Sequence, residues 1–219
     1  MRDVILWGGG SQAHVLNECL FDTGTKIVAV FDNTAVAPPF PDIPFYVGEE
    51  GFRSWMKTRR ASNDLYFLVA VGGTHRLELH DWLVGEGLLP LTVVHRAAYV
   101  AADAALGPGC QILAHATVCA LARLERSVIV NTAASVDHEC CIGAGAHICP
   151  GVRLAGCVVV GERAFIGTGA VILPRLRIGN DATIGAGAVV VRDIPAGAVV
   201  MGIPAHIKKP RGQGRSGGA

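Results

Sequence analysis

Asp137-His138-Glu139 sets an imidazole between two carboxylates. A histidine titrates near neutral pH, so it suits a group that takes a proton from an attacking amine or hydroxyl. A second constellation lies near the start. Gly8-Gly9-Gly10-Ser11-Gln12-Ala13 follows the apolar run Val4 to Trp7, and Asp32 ends the next apolar run, 22 residues past Gly10. Such glycines let a diphosphate approach the backbone, a helix N-terminus favours the anion, and the acid takes a hydroxyl. The competing reading, a glycine-rich turn without a ligand, stays open. Zinc is a third possibility. It wants three convergent ligands at about 2.0–2.1 Å, and the candidates are His115, His138 and His147, with gaps of 23 and 9 residues.

These groups need scaffolds, and the second half of the chain declares one. Every sixth residue from Val100 to Val190, 16 in all, is Val, Leu or Ile. Two positions before each stands Ala ten times and Cys twice (Cys110 and Cys140), and Gly follows the aliphatic residue at 107, 143, 161, 167, 179 and 185. Residues two apart on a strand share a side, so both columns face inward, and the period is that of a parallel β-solenoid. The glycines suit corners that want positive φ. None of the 12 charged residues between 98 and 190 falls in either column, as the cost of burying charge requires. His138 and His147 lie outside both columns, so neither is expected in the core.

The first half alternates strand and helix. Val4–Trp7, Ile27–Phe31 and Leu65–Val71 read as strands, 52–58 and 77–83 as helices, and 91–94 as a strand into the solenoid. That order predicts a small parallel α/β sheet. The organisation is residues 1–95, then 96–207, then a basic tail, 208–219, expected to be disordered. Hydrophobic residues make up 51% and aromatic residues 6% of the 219 residues, which predicts a core of small and aliphatic side chains. Formal charge is +1, so no nucleic acid or acidic membrane is expected as partner. No apolar run reaches 18 residues. The early acid Asp3 and the glycines from Gly8 do not suit a signal peptide. Seven cysteines without paired spacing read as reduced thiols in the cytoplasm.

The repeat resembles that of the hexapeptide-repeat acyltransferases, [LIV]-G-x4, over about residues 95–207. The resemblance implies a left-handed triangular prism with three hexapeptides per 18-residue coil, assembled as a homotrimer. No insertion interrupts 100–190, so a cleft would come from a neighbouring subunit. Asn131-Thr132-Ala133-Ala134-Ser135-Val136-Asp137-His138-Glu139-Cys140, the closing GAVVMGIPA at 197–205, and the order of the two halves resemble the sugar acetyltransferases of the sialic-acid O-acetyltransferase type. Nearest are the nucleotide-amino-sugar N-acetyltransferases of the bacillosamine and perosamine pathways.

This resemblance implies acetyl-CoA as cosubstrate and direct transfer to the amino group of a nucleotide-linked 4-amino-4,6-dideoxy sugar. His138 is then the general base and Glu139 the carboxylate that orients it. His147 meets the thioester region, and Gly156, Thr168 and Ala186 line the pantetheine groove. Steps of 18 residues, 138 to 156 and 168 to 186, stack these along the prism. Gly10, Ser11, Gln12, Asp32, Asn33 and Gly72 match the nucleotide-sugar site of a Rossmann-like unit. Gln12 stands where the family commonly has His, and Gly72-Gly73-Thr74-His75-Arg76 stands for G-N-N-x-x-R. Lys208 and Lys209 lie where CoA phosphates could be met. An O-acetyltransferase needs the same base, so that alternative stays open. A zinc enzyme of the solenoid carbonic anhydrase type would show H-x4-H, which the histidine gaps do not match, and no metal is expected. A non-catalytic assembly solenoid is the remaining alternative, for which outward Ile129 and Phe165 suggest a subunit interface.

Overall fold

The computed structural model describes residues 2–59, 64–73 and 75–208. The amino-terminal part is a five-stranded, all-parallel sheet of order β3-β2-β1-β4-β5. Its strands are β1 (Arg2–Trp7), β2 (Thr25–Asp32), β3 (Phe45–Val47), β4 (Leu65–Val69) and β5 (Leu89–Pro90). The helices are α1 (Ser11–Cys19), α2 (Gly48–Thr58) and α3 (Arg76–Gly85). Val4 to Trp7 is buried throughout, because a parallel strand covered on both faces must be a continuous apolar run. The sheet has two strands beyond those expected from sequence, β3 and β5, which are short edge strands beside prolines.

The average composition concealed a segregation. Eleven of the 13 aromatic residues lie before residue 96. Trp7, Phe31, Phe52, Trp55 and Phe67 fill the core on one side of the sheet, with Trp7 stacked on Phe31 at 5.4 Å. The expectation of a wholly aliphatic core holds for the solenoid and is corrected here for the sheet. On the other side, Val4, Leu6, Ala13 and Leu16 share one core with Leu113 and Ile129 of the solenoid. Ile129 is therefore covered by the chain's own α/β part, which corrects its assignment to a subunit interface.

The solenoid follows the sequence columns. Sixteen two-residue strands run from Tyr99–Val100 to Val189–Val190 at six-residue steps, each ending on its aliphatic residue. Partners lie one coil apart, as Val118 with Val136 and Val136 with Leu154. Three sheets result. We number the faces by the order in which a coil visits them: the first holds Ile129–Val130 and His147–Ile148, the second Ser135–Val136 and Arg153–Leu154, the third Cys141–Ile142 and Val159–Val160. The inward columns, among them Ala134, Val136, Cys140 and Ile142, form one apolar interior.

The corners correct one expectation. Positive φ falls three residues after the aliphatic position, at Gly109, Gly145 and Gly151 but also at His115, Glu139, Cys157 and Arg163. Glycine directly after the aliphatic residue has another cause, close stacking of coils. A Cβ on Gly143 would lie 2.6 Å from the nitrogen of Glu162, and one on Gly161 2.5 Å from that of Asn180.

Candidate active site

His138 stands on the corner between the second and third faces. Its backbone nitrogen donates to Asp137 Oδ1 at 2.7 Å, so Asp137 shapes the turn. Its ring Nδ1 is 3.1 Å from Glu139 Oε2. With Nδ1–H donating to that carboxylate, Nε2 presents its lone pair as a base. The ring lies over Gly156, one coil on: a Cβ there would come within 2.4 Å of Nε2. Gly156 is thus a seat for the imidazole. Cys157 Sγ is 3.7 Å from Glu139 Oε2; no motif marks Cys157, although its 18-residue step from Glu139 makes them neighbours. Cys140 points inward, where burial pushes its thiol up to about 11, so it stays protonated at neutral pH.

Thr168 and Ala186 do not continue the line of His138 and Gly156. Both are exposed on the corner between the first and second faces. Twelve residues separate 156 from 168, which is two thirds of a coil, so the two stacked pairs occupy different edges of the prism.

The second candidate site is the crevice at the carboxyl ends of β1, β2 and β4. Strand order reverses at β1, since β2 and β4 flank it, and such switch points are where open α/β sheets bind ligands. Gly8, at φ +123°, is pressed against the backbone of Ala70, while Gly10 caps α1 facing open space. Ser11 beside it is exposed. The Asp32 carboxylate accepts from Gly9 N at 2.7 Å and from Thr34 N at 2.9 Å. Burial would raise its pKa, but these bonds outweigh burial and hold it below the usual value. Asn33 Oδ1 accepts from the Trp7 indole. Gln12 turns away from the crevice and donates to Gln111 Oε1 at 3.1 Å. Gln111, buried and missed from sequence, donates in turn to the Val69 carbonyl at 2.7 Å.

A polar junction ties that crevice to the solenoid. His147 is buried, which corrects the expectation of an outward ring. Its Nδ1 donates to the Gly72 carbonyl at 2.8 Å, and its Nε2 accepts from Asn131 Nδ2 at 3.1 Å. Burial takes its pKa down to about 4, with Arg76 pushing the same way and the Gly72 bond opposing. The ring is neutral and both nitrogens are engaged. Arg76 is fully buried. Its guanidinium donates to five carbonyls: Val71, Gly73, Ser127, Gly145 and Ala146. Among the described residues no carboxylate pairs with it. Burial lowers its pKa to about 10, so it remains a cation. His80 packs over Gly109, where a Cβ would lie 2.7 Å from the ring.

The three histidines considered for zinc are not brought together. His115 is exposed on the first-to-second corner, His147 is buried on the first face, and His138 occupies the second-to-third corner. Among the described residues the one group of three potential ligand residues is His138, Glu139 and Cys157, whose atoms lie within 4.8 Å of one another. No described helix is long and apolar enough to cross a membrane. Lys208 is exposed, its backbone N–H donating to the Val199 carbonyl at 2.7 Å. Lys209 and the tail to 219 lie outside the described residues.

Residues 157–192 match the family model described as bacterial transferase hexapeptide (six repeats). PerB from Caulobacter crescentus, solved with CoA and GDP-perosamine, is 34% identical, with TM-score 0.87 over 95% of this chain and 98% of that one. The acetyltransferase domain of PglB from Neisseria gonorrhoeae, solved with acetyl coenzyme A, is 32% identical, with TM-score 0.85 over 94% and 99%. WeeI from Acinetobacter baumannii shares the fold at 23% identity and TM-score 0.84, over 95% and 100%. A curated relative, 2,3,4,5-tetrahydropyridine-2,6-dicarboxylate N-acetyltransferase of Staphylococcus aureus, is 41% identical over 75 residues, 31% of each chain.

Proposed function

This chain belongs to the hexapeptide-repeat sugar acetyltransferases, and from that premise we propose that it moves acetyl from acetyl-CoA to the amino group of a nucleotide-linked 4-amino-4,6-dideoxy sugar. The observation that carries the reading is the His138–Glu139 pair seated over Gly156, in a chain alike over nearly its full length to an enzyme solved with CoA and GDP-perosamine. In the reaction the sugar amine attacks the thioester carbonyl, and His138 Nε2 takes the amine proton. The tetrahedral intermediate then collapses, the C–S bond breaks, and the thiolate of CoA recovers a proton from the imidazolium. Glu139 holds the ring in the tautomer that leaves Nε2 free and stabilises the cation formed. Pantetheine lies between two copies, against Gly156 on the second-to-third corner of one and Thr168 and Ala186 on the first-to-second corner of the other. Gly10, Ser11, Asp32, Asn33 and Gly72 hold the nucleotide sugar, while His147 and Gln12 brace that site from the solenoid side.

The active centre is shared between subunits of a homotrimer. The α/β part packs on the first face and the third-to-first corner, through Ile129, Ser127 and Gly145. His138 stands on the one corner that does not touch the first face. A sugar held in the crevice of one copy therefore reaches the His138 of another. The same reading gives a Rossmann-like unit to about residue 95, a left-handed solenoid beyond it, and a cytoplasmic enzyme, in keeping with seven free cysteines.

The test is incubation with acetyl-CoA and GDP-, UDP- or dTDP-linked 4-amino-4,6-dideoxyhexoses, with products separated by chromatography. One of them becomes N-acetylated; acetylation of none overturns the reading. His138→Ala lowers kcat by about 10²–10⁴-fold with acetyl-CoA binding retained. An active His138→Ala variant would sink the mechanism.

A further inference from the structure

We propose that His138, Glu139 and Cys157 form a Zn2+ site that switches the enzyme off. The inference rests on the role of His138 given above and adds a regulatory ligand to that corner. Three donors preferred by zinc, imidazole nitrogen, carboxylate oxygen and thiolate sulfur, converge there with mutual distances under 4.8 Å. Tetrahedral zinc with bonds of about 2.0–2.3 Å needs N···O and S···O edges of roughly 3.3 and 3.5 Å. The edges present are 3.1 Å for His138 Nδ1 to Glu139 Oε2 and 3.7 Å for Cys157 Sγ to Glu139 Oε2.

The backbone holds this spacing ready. Glu139 and Cys157 occupy the same corner position of successive coils, at φ +57° and +61°. The nitrogen of Cys157 donates to the carbonyl of His138 at 2.9 Å. Ligand positions are thus set by the coil ladder, and little ordering is required on binding. All three residues are at least partly exposed, so the ion can enter and a water or anion can complete its shell.

The consequence for catalysis follows from proton bookkeeping. Zinc bonds to the Nδ1 lone pair, to the Cys157 sulfur and to a Glu139 oxygen. The thiol proton leaves to solvent. The ring's single proton moves from Nδ1 to Nε2, because a neutral imidazole has one lone pair and the metal now uses it. Nε2 then carries hydrogen and cannot accept one from the attacking amine.

The experiment uses the full chain, stripped of metal with EDTA and dialysed. Co2+ is added as a spectroscopic probe, and a thiolate-to-cobalt charge-transfer band in the near ultraviolet is expected. Cys157→Ser removes the band. In the acetyl-transfer assay, read as acetylated sugar nucleotide so that zinc capture by free CoA does not interfere, micromolar Zn2+ inhibits and EDTA restores activity. Cys157→Ser keeps full activity without metal and needs at least roughly tenfold more Zn2+ for half-inhibition. Absence of the cobalt band, or inhibition unchanged in Cys157→Ser, overturns the site. A Cys157-dependent band with undiminished activity in zinc overturns the switch. The band is read without any acceptor sugar, so failure of the acetyltransferase reading and failure of the metal site are told apart.

Discussion

The solenoid and the α/β part solve one problem, burial of an apolar face, in opposite ways. In the solenoid each coil meets only its neighbours, and one ladder of backbone bonds repeats every 18 residues. The α/β part is fixed to it by contacts without repeat: Arg76 to Ser127 and Gly145, Gln12 to Gln111, His147 to Gly72. The His138–Glu139 pair proposed as catalytic is placed by the first method, at a corner. The angle at which the crevice of the α/β part faces the prism is placed by the second. Rigid repetition therefore fixes the corner pair, and a small set of buried polar bonds fixes how the crevice is set against the prism.

Arg76→Ala strikes hardest at this division. It leaves five carbonyls without their donor and should cost about 3–5 kcal/mol. Calorimetry should show the loss in the melting of the α/β part, with the solenoid transition kept; a single transition shifted as one would merge the two regions. Next comes pH. The folded His147 ring stays neutral down to about pH 4, while the unfolded ring takes a proton below about 6.5. Stability is therefore full above pH 6.5 and falls by roughly 3 kcal/mol as pH drops from 6.5 to 4. Buried His80, also lowered by desolvation, adds in the same direction. Denaturant melts across this window check it, and His147→Gln should flatten the slope.

Gly156→Ala probes the solenoid alone. The new methyl would meet the His138 ring at 2.4 Å, and displacing a base by about 1 Å costs on the order of 100-fold in kcat. Gly156 is not among the positive-φ glycines, so the melting temperature should hold while kcat falls. The smallest effect is expected at the rim of the junction. Arg126 donates to Asp81 at 3.0 and 3.1 Å, but both side chains are about half exposed. Asp81→Asn should cost under about 1 kcal/mol, and the loss should vanish in high salt. A larger loss at Asp81 would mean that the rim, too, sets the docking.

The same contrast explains what could be read from sequence. Inward columns were legible because Val136, Ile142 and Ile148 recur with the period of the structure. His138 and Glu139 were legible because the pair is local. Glycines such as Gly143 read as corner residues in the sequence because a sequence does not show the coil stacked on them. Cys157 joins Glu139 across that same stacking. Arg76 and Gln111 are illegible as fasteners, since their bonds across the junction span 42 to 99 residues and no local pattern announces them. The turn motif points Gln12 into the crevice, and its bond to Gln111 depends on a solenoid face the motif does not contain.

One reversal near the end of the chain has a consequence for assembly. His206–Ile207 runs antiparallel to Val199–Met201, with Val200 opposite Ile207, whereas every other paired strand is parallel to its partner among the described residues. An unfinished parallel rung is a template for another molecule's rung, and stacking end on end would give a filament. Here the folded-back strand occupies that rim of the first face. Growth along the long axis is discouraged on that face, so the fold-back serves as a lid on the stack of coils.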